Sequence, residues 1–277
     1  MGERSDLESL TIITLNWYDG VMGDQPVFAE VPVAIVNGAS RGIGLETARQ
    51  LVTAGWAVCI TGRKPEPLEQ TRLALGEDGG QVIAIAGAAQ DDDHREEVIA
   101  AVMKRWGRID ALVNNVGTSP FLGNLLDAEA EHLERAWAVN VNTPWAWCKG
   151  VVDAAMGEHG GAIVNMGSIG GTYPVPRVGV YNVSKAALLH MTRQLALELA
   201  PRVRVNAVAP ATIRTNFARA KWEGREEEVA SQFPLKRLGS PEEVAAAIVM
   251  LCDGTFGWMT GQTITLDGGA SLIQGVV

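Results

Sequence analysis

Residues 31–44 read VPVAIVNGASRGIG, an apolar run that ends in a turn with three glycines. An unbroken apolar run of this length is typical of a strand that is covered on both faces of a parallel sheet. The residues that follow, IGLETARQLVTAG, have the periodicity of an amphipathic helix with Gly55 at its C-terminal cap. A strand, a glycine-rich turn and a helix in this order predict the first unit of a doubly wound α/β fold.

Strand and helix signals keep alternating along the rest of the chain. The sequence therefore predicts one Rossmann-like domain over residues 31–277, with a parallel sheet of about seven strands between two helical layers. One long helix is predicted from about Ala128 to Met156. The later predicted strands are AVCIT (57–61), VIAIAG (82–87), IDALVNNVG (109–117), AIVNMGS (162–168), VRVNAVAP (203–210) and QTITLDGG (262–269).

Residues 1–30 do not fit this alternation. The stretch LTIITLNWY is short, is broken by polar residues and follows the acidic side chains of Glu3, Asp6 and Glu8, unlike a signal peptide. No apolar run in the chain reaches the roughly 18 residues that a membrane span requires. We expect an N-terminal extension that is either flexible or docked on the surface, and no membrane association.

Composition excludes several classes of partner. The net charge is −9 at pH 7 and no basic run occurs, which argues against nucleic acid and anionic membranes. Cys59, Cys148 and Cys252 are scattered among apolar residues, which predicts buried thiols in a reducing, cytoplasmic environment. The acidic run Asp91–Asp93 fits a helix N-terminus better than a metal site, and no other ligand spacing occurs, so we predict no metal.

The glycine turn and the end of the second strand predict a dinucleotide site. Where an NAD-binding protein carries an acid, this chain reads ITGRK, with Arg63 and Lys64 in its place. A guanidinium can bind a 2′-phosphate that a carboxylate would repel, so NADP(H) is predicted. The alternative is that these cations are solvated loop residues. The residues predicted to contact the cofactor at the turn are Gly38, Ser40, Arg41, Gly42, Ile43 and Gly44.

The sequence YNVSK places Tyr181 and Lys185 four positions apart, on one face of a helix. A free tyrosine has a pKa near 10. An ammonium about 5 Å away, at an effective dielectric near 20, favours the phenolate by about 3 kcal/mol, or about two pKa units. We therefore expect Lys185 to lower the pKa of Tyr181.

Several motifs together resemble the classical short-chain dehydrogenases/reductases, and 3-oxoacyl-carrier-protein reductases among them. Ser168 precedes Tyr181 by thirteen residues, a separation typical of that family. The resemblance implies that a ketone and a secondary alcohol are interconverted with NADP(H), while the substrate stays open among hydrophobic ketones, polyols, steroids and acyl thioesters. The motifs, in family order, are NGASRGIG (37–44), NNVG (114–117), AVNVN (138–142), IVNMGS (163–168) and YNVSK (181–185).

The resemblance also implies roles for individual residues. Tyr181 would exchange a proton with the substrate oxygen, Ser168 would hydrogen-bond that oxygen, and Lys185 would bind the nicotinamide ribose. Asn140 would hold a water in a proton relay to the lysine. Further cofactor contacts are implied for Asn115, Gly117, Pro210, Ile213 and Thr215.

The chain is also expected to associate with itself. The helix after Lys185 is apolar around most of its circumference, which predicts contact with a second subunit, and the resemblance implies a homotetramer or dimer.

The segment after the sixth strand and the function itself each leave alternatives open. Residues 217–240 predict either an amphipathic lid or a permanently docked helix pair. A cofactor-binding sensor or structural subunit without turnover is the main alternative function, although Tyr181 and Lys185 are both present. An epimerase or dehydratase is disfavoured by the glycine spacing.

Overall fold

Seven strands form one parallel sheet in the computed structural model, which describes residues 31–76 and 81–273. The predicted extension over residues 1–30 lies outside the described residues. The strands are β1 (Val33–Val36), β2 (Ala57–Gly62), β3 (Val82–Ala86), β4 (Ala111–Asn114), β5 (Gly161–Met166), β6 (Val203–Pro210) and β7 (Thr263–Leu266). Their order is β3-β2-β1-β4-β5-β6-β7, which reverses between β1 and β4 and leaves a crevice at the carboxyl ends of the strands. The predicted fold is confirmed.

Helices connect the strands and cover both faces of the sheet. Short 3₁₀ turns lie at Leu125–Asp127, Ile169–Gly171 and Ala270–Leu272. The α-helices in the described residues are α1 (Gly42–Thr53), α2 (Pro65–Leu75), α3 (Asp92–Trp106), α4 (Ala130–Trp137), α5 (Thr143–Val151), α6 (Gly157–His159), α7 (Gly179–Leu199), α8 (Arg219–Trp222), α9 (Glu226–Ser231) and α10 (Pro241–Cys252).

Alternate residues along each strand enter two separate apolar layers. In β1, Ala34 and Val36 pack into the layer that holds buried residues of α1, α2 and α10. Val33 and Ile35 pack into the opposite layer, with buried residues of α3, α5 and α7. Because both faces are covered, the strands are apolar at nearly every position, as the sequence predicted.

The long helix predicted from Ala128 to Met156 departs from α geometry at two places. Residues Ala138–Asn142 and Val152–Met156 form π-helical turns, and the first of these contains Asn140. Each π turn accommodates an extra residue in the helix, a feature often found at functional sites. Apolar periodicity does not reveal an insertion of one residue, so neither turn could be predicted from the sequence.

The acidic run at the start of α3 acts as a helix cap. The backbone N–H of Asp93 donates to Asp91 Oδ1 at 3.1 Å, and Gly107 ends the helix in the left-handed conformation. Within residues 31–76 and 81–273, no cluster of His, Cys, Asp or Glu could hold a metal ion. In the same part of the chain, no helix combines the length and apolar character needed to cross a bilayer.

The three cysteines are buried and free, as predicted. Burial raises the pKa of Cys148 and of Cys252 to about 12, and raises that of Cys59 as well. Because the thiolate is the reactive form, these thiols are inert packing residues.

His94, in the first turn of α3, is buried, and neither of its ring nitrogens has a hydrogen-bond partner in the part of the chain that the structure describes. Its ring packs against Gly87, where a Cβ would lie 2.2 Å from Nδ1, and meets Trp147 edge-on at 6.2 Å. Burial lowers the pKa of His94, against the opposing negative charges of Glu97 and Asp91. The folded protein therefore favours the neutral imidazole.

This lowered pKa predicts acid sensitivity. The unfolded chain takes up the His94 proton below about pH 6.5, so the stabilisation is complete above that pH and is lost as pH falls toward the lower folded pKa. His94→Leu should therefore lose less unfolding free energy than the wild type between about pH 7.5 and 5.5 in urea titrations. The exposed His159→Leu should behave like the wild type. Parallel pH curves for His94→Leu and the wild type would contradict the assignment.

Candidate active site

The glycine turn between β1 and α1 is shaped for close backbone approach. Gly38 and Gly42 have φ of 68° and 59°, values that L residues with side chains seldom adopt. At Gly44, a Cβ would lie 2.5 Å from both the Gly38 carbonyl oxygen and Asn115 Nδ2. Asn115 Nδ2 donates to that same carbonyl at 3.0 Å, so Asn115 holds the turn in place. The turn leaves the N-terminus of α1 open to an anionic group such as a diphosphate.

Three predicted cations lie at the carboxyl ends of β1 and β2. Arg41 precedes α1, and Arg63 and Lys64 directly follow β2; all three are exposed. Ser40 links the two loops, because its Cβ lies 3.4 Å from the position of a Cβ on Gly62. Among the described residues none of the three cations has an ion-pair partner, so their charges are available to a ligand.

Ser168 and Tyr181 meet at the carboxyl end of β5. Ser168 caps the 3₁₀ turn at Ile169–Gly171, where its Oγ accepts from the Gly170 N–H at 3.1 Å. Tyr181 lies in the first turn of α7, where its phenol is close enough to the Ser168 side chain for Ser168 to affect its pKa. The ring of Phe217, the first residue of the segment predicted as a lid, lies 6.2 Å from that of Tyr181.

Lys185 is buried one turn further along α7, with only 1% of its surface exposed. Its Nζ donates to the Met166 carbonyl oxygen at 2.6 Å and lies 5.7 Å from the centroid of the Tyr181 ring. Burial lowers the pKa of Lys185 to about 8.

The pKa of Tyr181 is raised in the protein alone, whereas the sequence predicted that Lys185 would lower it. Burial raises the pKa of Tyr181, and the nearby Ser168 side chain opposes the rise only in part. The prediction of a lowered pKa was wrong for the protein by itself because it counted the ammonium charge and omitted desolvation. Desolvation destabilises the phenolate and the ammonium alike.

Asn140 and Gly117 surround the lysine head group. Asn140 Oδ1 accepts from the Thr118 N–H at 2.8 Å, while its Nδ2 donates to the Thr118 carbonyl and to Ser184 Oγ, each at 2.8 Å. A Cβ on Gly117 would lie 3.3 Å from Lys185 Nζ and 3.5 Å from Asn140 Oδ1. The structure thus brings these predicted residues together. Ser184 was missed, although its neighbour Lys185 was the clearest signal in the sequence.

The residues predicted after β6 lie on the other side of the crevice. Pro210 ends β6, and Ile213 is buried and forms an isolated bridge with Gly239. Thr215 lies over the glycine turn, because its Cγ2 is 3.5 Å from the position of a Cβ on Gly42. The β6 loop and the glycine turn therefore border one cleft.

The segment predicted as a lid forms the helix pair α8 and α9. Trp222 packs against a small apolar cluster that includes Ile169, the residue after Ser168, and the buried Phe233. Arg214 pairs with Glu226 at the start of α9. This packing corresponds to the docked alternative, and whether the pair opens stays a prediction.

Asn182 was also missed by the sequence reading. Its Nδ2 donates to the Val175 carbonyl at 2.8 Å, which ties the loop between β5 and α7 to the helix that carries Tyr181. Its Oδ1 is buried without a partner among the described residues.

Known oxidoreductases are similar to this chain over most of its length. A family model described as enoyl-(acyl carrier protein) reductase matches residues 38–271. Dehydrogenase/reductase SDR family member 4 from Sus scrofa is 37% identical over 248 residues, covering 87% of this chain and 88% of that protein. An uncharacterized oxidoreductase from Thermotoga maritima is 36% identical over 248 residues, covering 87% and 98% respectively.

Two solved structures with bound NADP or NADPH have the same fold as this chain. ElxO with NADP bound superposes with a TM-score of 0.81 at 27% identity, over 88% of this chain and 100% of ElxO. A variant of actinorhodin polyketide ketoreductase with NADPH superposes with a TM-score of 0.82 at 30% identity, over 88% and 98% of the two chains.

Proposed function

The chain belongs to the classical short-chain dehydrogenase/reductase family of oxidoreductases, and we propose that it interconverts a ketone and a secondary alcohol with NADP(H). The observation that carries this proposal is the cluster of Ser168, Tyr181 and the buried Lys185, in which Lys185 Nζ lies 5.7 Å from the centroid of the Tyr181 ring. The three side chains lie at the carboxyl end of β5, at the edge of the sheet where this fold binds ligands. The substrate is a small carbonyl compound or its alcohol.

The residues fit a nicotinamide dinucleotide, whose reduced ring supplies a hydride when it is bound. The conformation of Gly38 and Gly42 and the closeness of Gly44 to the Gly38 carbonyl leave room for a diphosphate at α1. The ribose and nicotinamide contacts are assigned to Asn115, Gly117, Lys185, Pro210, Ile213 and Thr215, and the turn contacts to Gly38, Ser40, Arg41, Gly42, Ile43 and Gly44.

Tyr181 acts as the general acid in the reductive direction. Its raised pKa keeps the phenol protonated at neutral pH, so that a proton is available as the carbonyl oxygen gains charge. Ser168 hydrogen-bonds the same oxygen and stabilises the developing charge. Both groups therefore hold the carbonyl in one orientation.

Lys185 replaces the proton that Tyr181 gives up, and a water held at Asn140 would return a proton from solvent to Lys185. With a pKa of about 8, Lys185 is mostly protonated at neutral pH and can still release a proton without a large cost. Gly117 borders both side chains closely, which supports one continuous path from Tyr181 past Lys185 to Asn140.

The cations Arg41, Arg63 and Lys64 select NADP(H) over NAD(H). They are exposed, no described acid pairs with them, and the two residues directly after β2 are Arg63 and Lys64 instead of an acid. The NADP and NADPH in the two superposed structures support the same choice. Contacts of this kind are charge-assisted and strongest with a phosphate.

The chain assembles as a homotetramer, or a dimer, through its outer helices. Leu133 and Trp137 on α4 and Val183 on α7 are exposed, and Leu126, four residues before α4, is almost fully so. Exposed apolar groups of this size mark interaction surfaces. Residues 31–277 act as one domain with residues 1–30 as an extension, and the buried free thiols favour the cytoplasm.

Tyr181→Phe tests the catalytic assignment. It removes only the phenolic oxygen, so turnover should fall by at least about a hundredfold, the scale of general acid catalysis, while NADPH affinity is nearly unchanged. Steady-state kinetics and NADPH titration measure the two effects. Tyr173→Phe, on the exposed loop nearby, should retain most of the turnover. Wild-type turnover in Tyr181→Phe would refute the mechanism.

The cofactor preference provides a second test. Wild-type kcat/KM should favour NADPH over NADH by about 150-fold, and the preference should shrink as salt rises. Arg63→Asp should lose most of the preference because a carboxylate repels the 2′-phosphate. Lys104→Asp makes the same charge change on exposed α3 and should keep the preference. Equal wild-type efficiency with both cofactors would contradict the assignment.

Light scattering tests the assembly. At micromolar concentration the protein should have the mass of a tetramer or dimer of 29.5 kDa chains. Trp137→Glu should shift the mass toward the monomer, since it places a charge in the apolar contact. A wild-type monomer would exclude this interface.

A further inference from the structure

Four buried polar side chains form one row across the sheet, in neighbouring strands. Val36 pairs with Ile60 and with Val113, so the next residue, Asn37, lies level with Thr61 and Asn114. Asn114 in turn pairs directly with Asn165 of β5. Each of the four is at most 3% exposed. Buried polar groups in a parallel sheet need partners, and here they are partners of one another.

The hydrogen bonds of this row all run in one direction and end on α7. Thr61 Oγ1 donates to Asn37 Oδ1 at 3.1 Å, and Asn37 Nδ2 donates to Asn114 Oδ1 at 3.3 Å. Asn114 Nδ2 then donates to Asn165 Oδ1, and Asn165 Nδ2 to Thr192 Oγ1, each at 2.9 Å. Successive donors aligned in this way polarise one another, which strengthens the chain of bonds.

The last bond of the row ends on the helix itself. Thr192 Oγ1 donates to the Leu188 carbonyl oxygen at 2.9 Å, so the hydroxyl both accepts from β5 and is fixed within α7. Thr192 is completely buried. This row of side-chain hydrogen bonds therefore fixes the position of α7 along the sheet.

The row lies directly beneath the candidate site. Gly38 follows Asn37, and Asn115 follows Asn114. Met166, whose carbonyl accepts from Lys185 Nζ, follows Asn165, and Ser168 lies two residues further on. Thr192 lies seven residues after Lys185, two turns away on the same face of α7.

We propose that Asn165 and Thr192 are positioning residues, which hold α7 in register with β5 so that Tyr181 meets Ser168 and Lys185 meets Met166. This inference rests on the proposed function for its effect on turnover. A slide of α7 along β5 would misplace the acid relative to Ser168, and a shift of 1 Å can lower turnover by about a hundredfold. Without the acceptor on Thr192, a buried donor of Asn165 would be unsatisfied, which favours such a slide.

Thr192→Val tests the proposal, because it keeps the shape of the side chain and removes only the hydroxyl. We expect kcat for ketone reduction to fall at least about tenfold, with a much smaller change in NADPH affinity, because the glycine turn is untouched. Hydrogen exchange of the amides in residues 181–189 should become faster. Thr192→Ser retains the hydroxyl and should restore both properties.

Thr47→Val is the matched control. Thr47 is also completely buried in a helix, and its hydroxyl donates to the Ile43 carbonyl at 2.8 Å, but no side chain of residues 31–76 or 81–273 donates to it. It should lower the unfolding midpoint without lowering kcat or changing exchange in α7. An equal loss of kcat in Thr47→Val, or no rescue by Thr192→Ser, would overturn the proposal.

The exchange measurement separates this inference from the proposed function. If the wild type reduces no ketone, yet Thr192→Val alone accelerates exchange in α7, the proposed function fails and the positioning role stands. If Thr192→Val leaves both exchange and turnover at wild-type values, the positioning role is refuted, whatever the substrate is.

Discussion

A lysine ammonium buried against the end of β5 is the constraint on which the candidate site depends. Among the described residues Lys185 has one hydrogen-bond acceptor, the Met166 carbonyl, and 1% of its surface is exposed. Burying such a charge costs several kcal/mol unless its surroundings are arranged for it. Gly117 is small enough to let Nζ approach, and the bond between Asn165 and Thr192 keeps α7 level with β5. The sheet, the helix and the loop after β4 therefore have to agree in register for the charge to be accommodated.

The same desolvation sets the chemistry of the site. It raises the pKa of Tyr181 and lowers that of Lys185 to about 8, so the pKa values of the two groups move apart. Titratable groups perturbed in this way, at the carboxyl end of parallel strands, are typical of acid–base sites. At neutral pH the arrangement favours a protonated phenol and a lysine that can resupply it. A protonated phenol suits the reduction of a carbonyl, whereas a phenolate would suit the oxidation of an alcohol.

Features with a local cause could be predicted from the sequence. The glycine turn follows from backbone conformation at Gly38 and Gly42, and the cap at Asp91 follows from unpaired amides at a helix start. Features that need the whole fold could not. The π turn around Asn140 adds one residue without disturbing the apolar pattern, and the pKa of Tyr181 depends on burial that no motif encodes. Asn165 reads as an ordinary strand residue until the sheet order places it beside Asn114 and Thr192.

The most direct test of the central claim is ketone-dependent oxidation of NADPH by the purified protein. A panel of hydrophobic ketones, polyol-type ketones, steroids and acyl thioesters would be followed by cofactor absorbance, with the product identified for any active compound. We expect at least one carbonyl compound to oxidise NADPH and to yield an equal amount of the secondary alcohol. Stoichiometric binding of NADPH without turnover of any member of the panel would contradict it and would favour a cofactor-binding protein without catalysis.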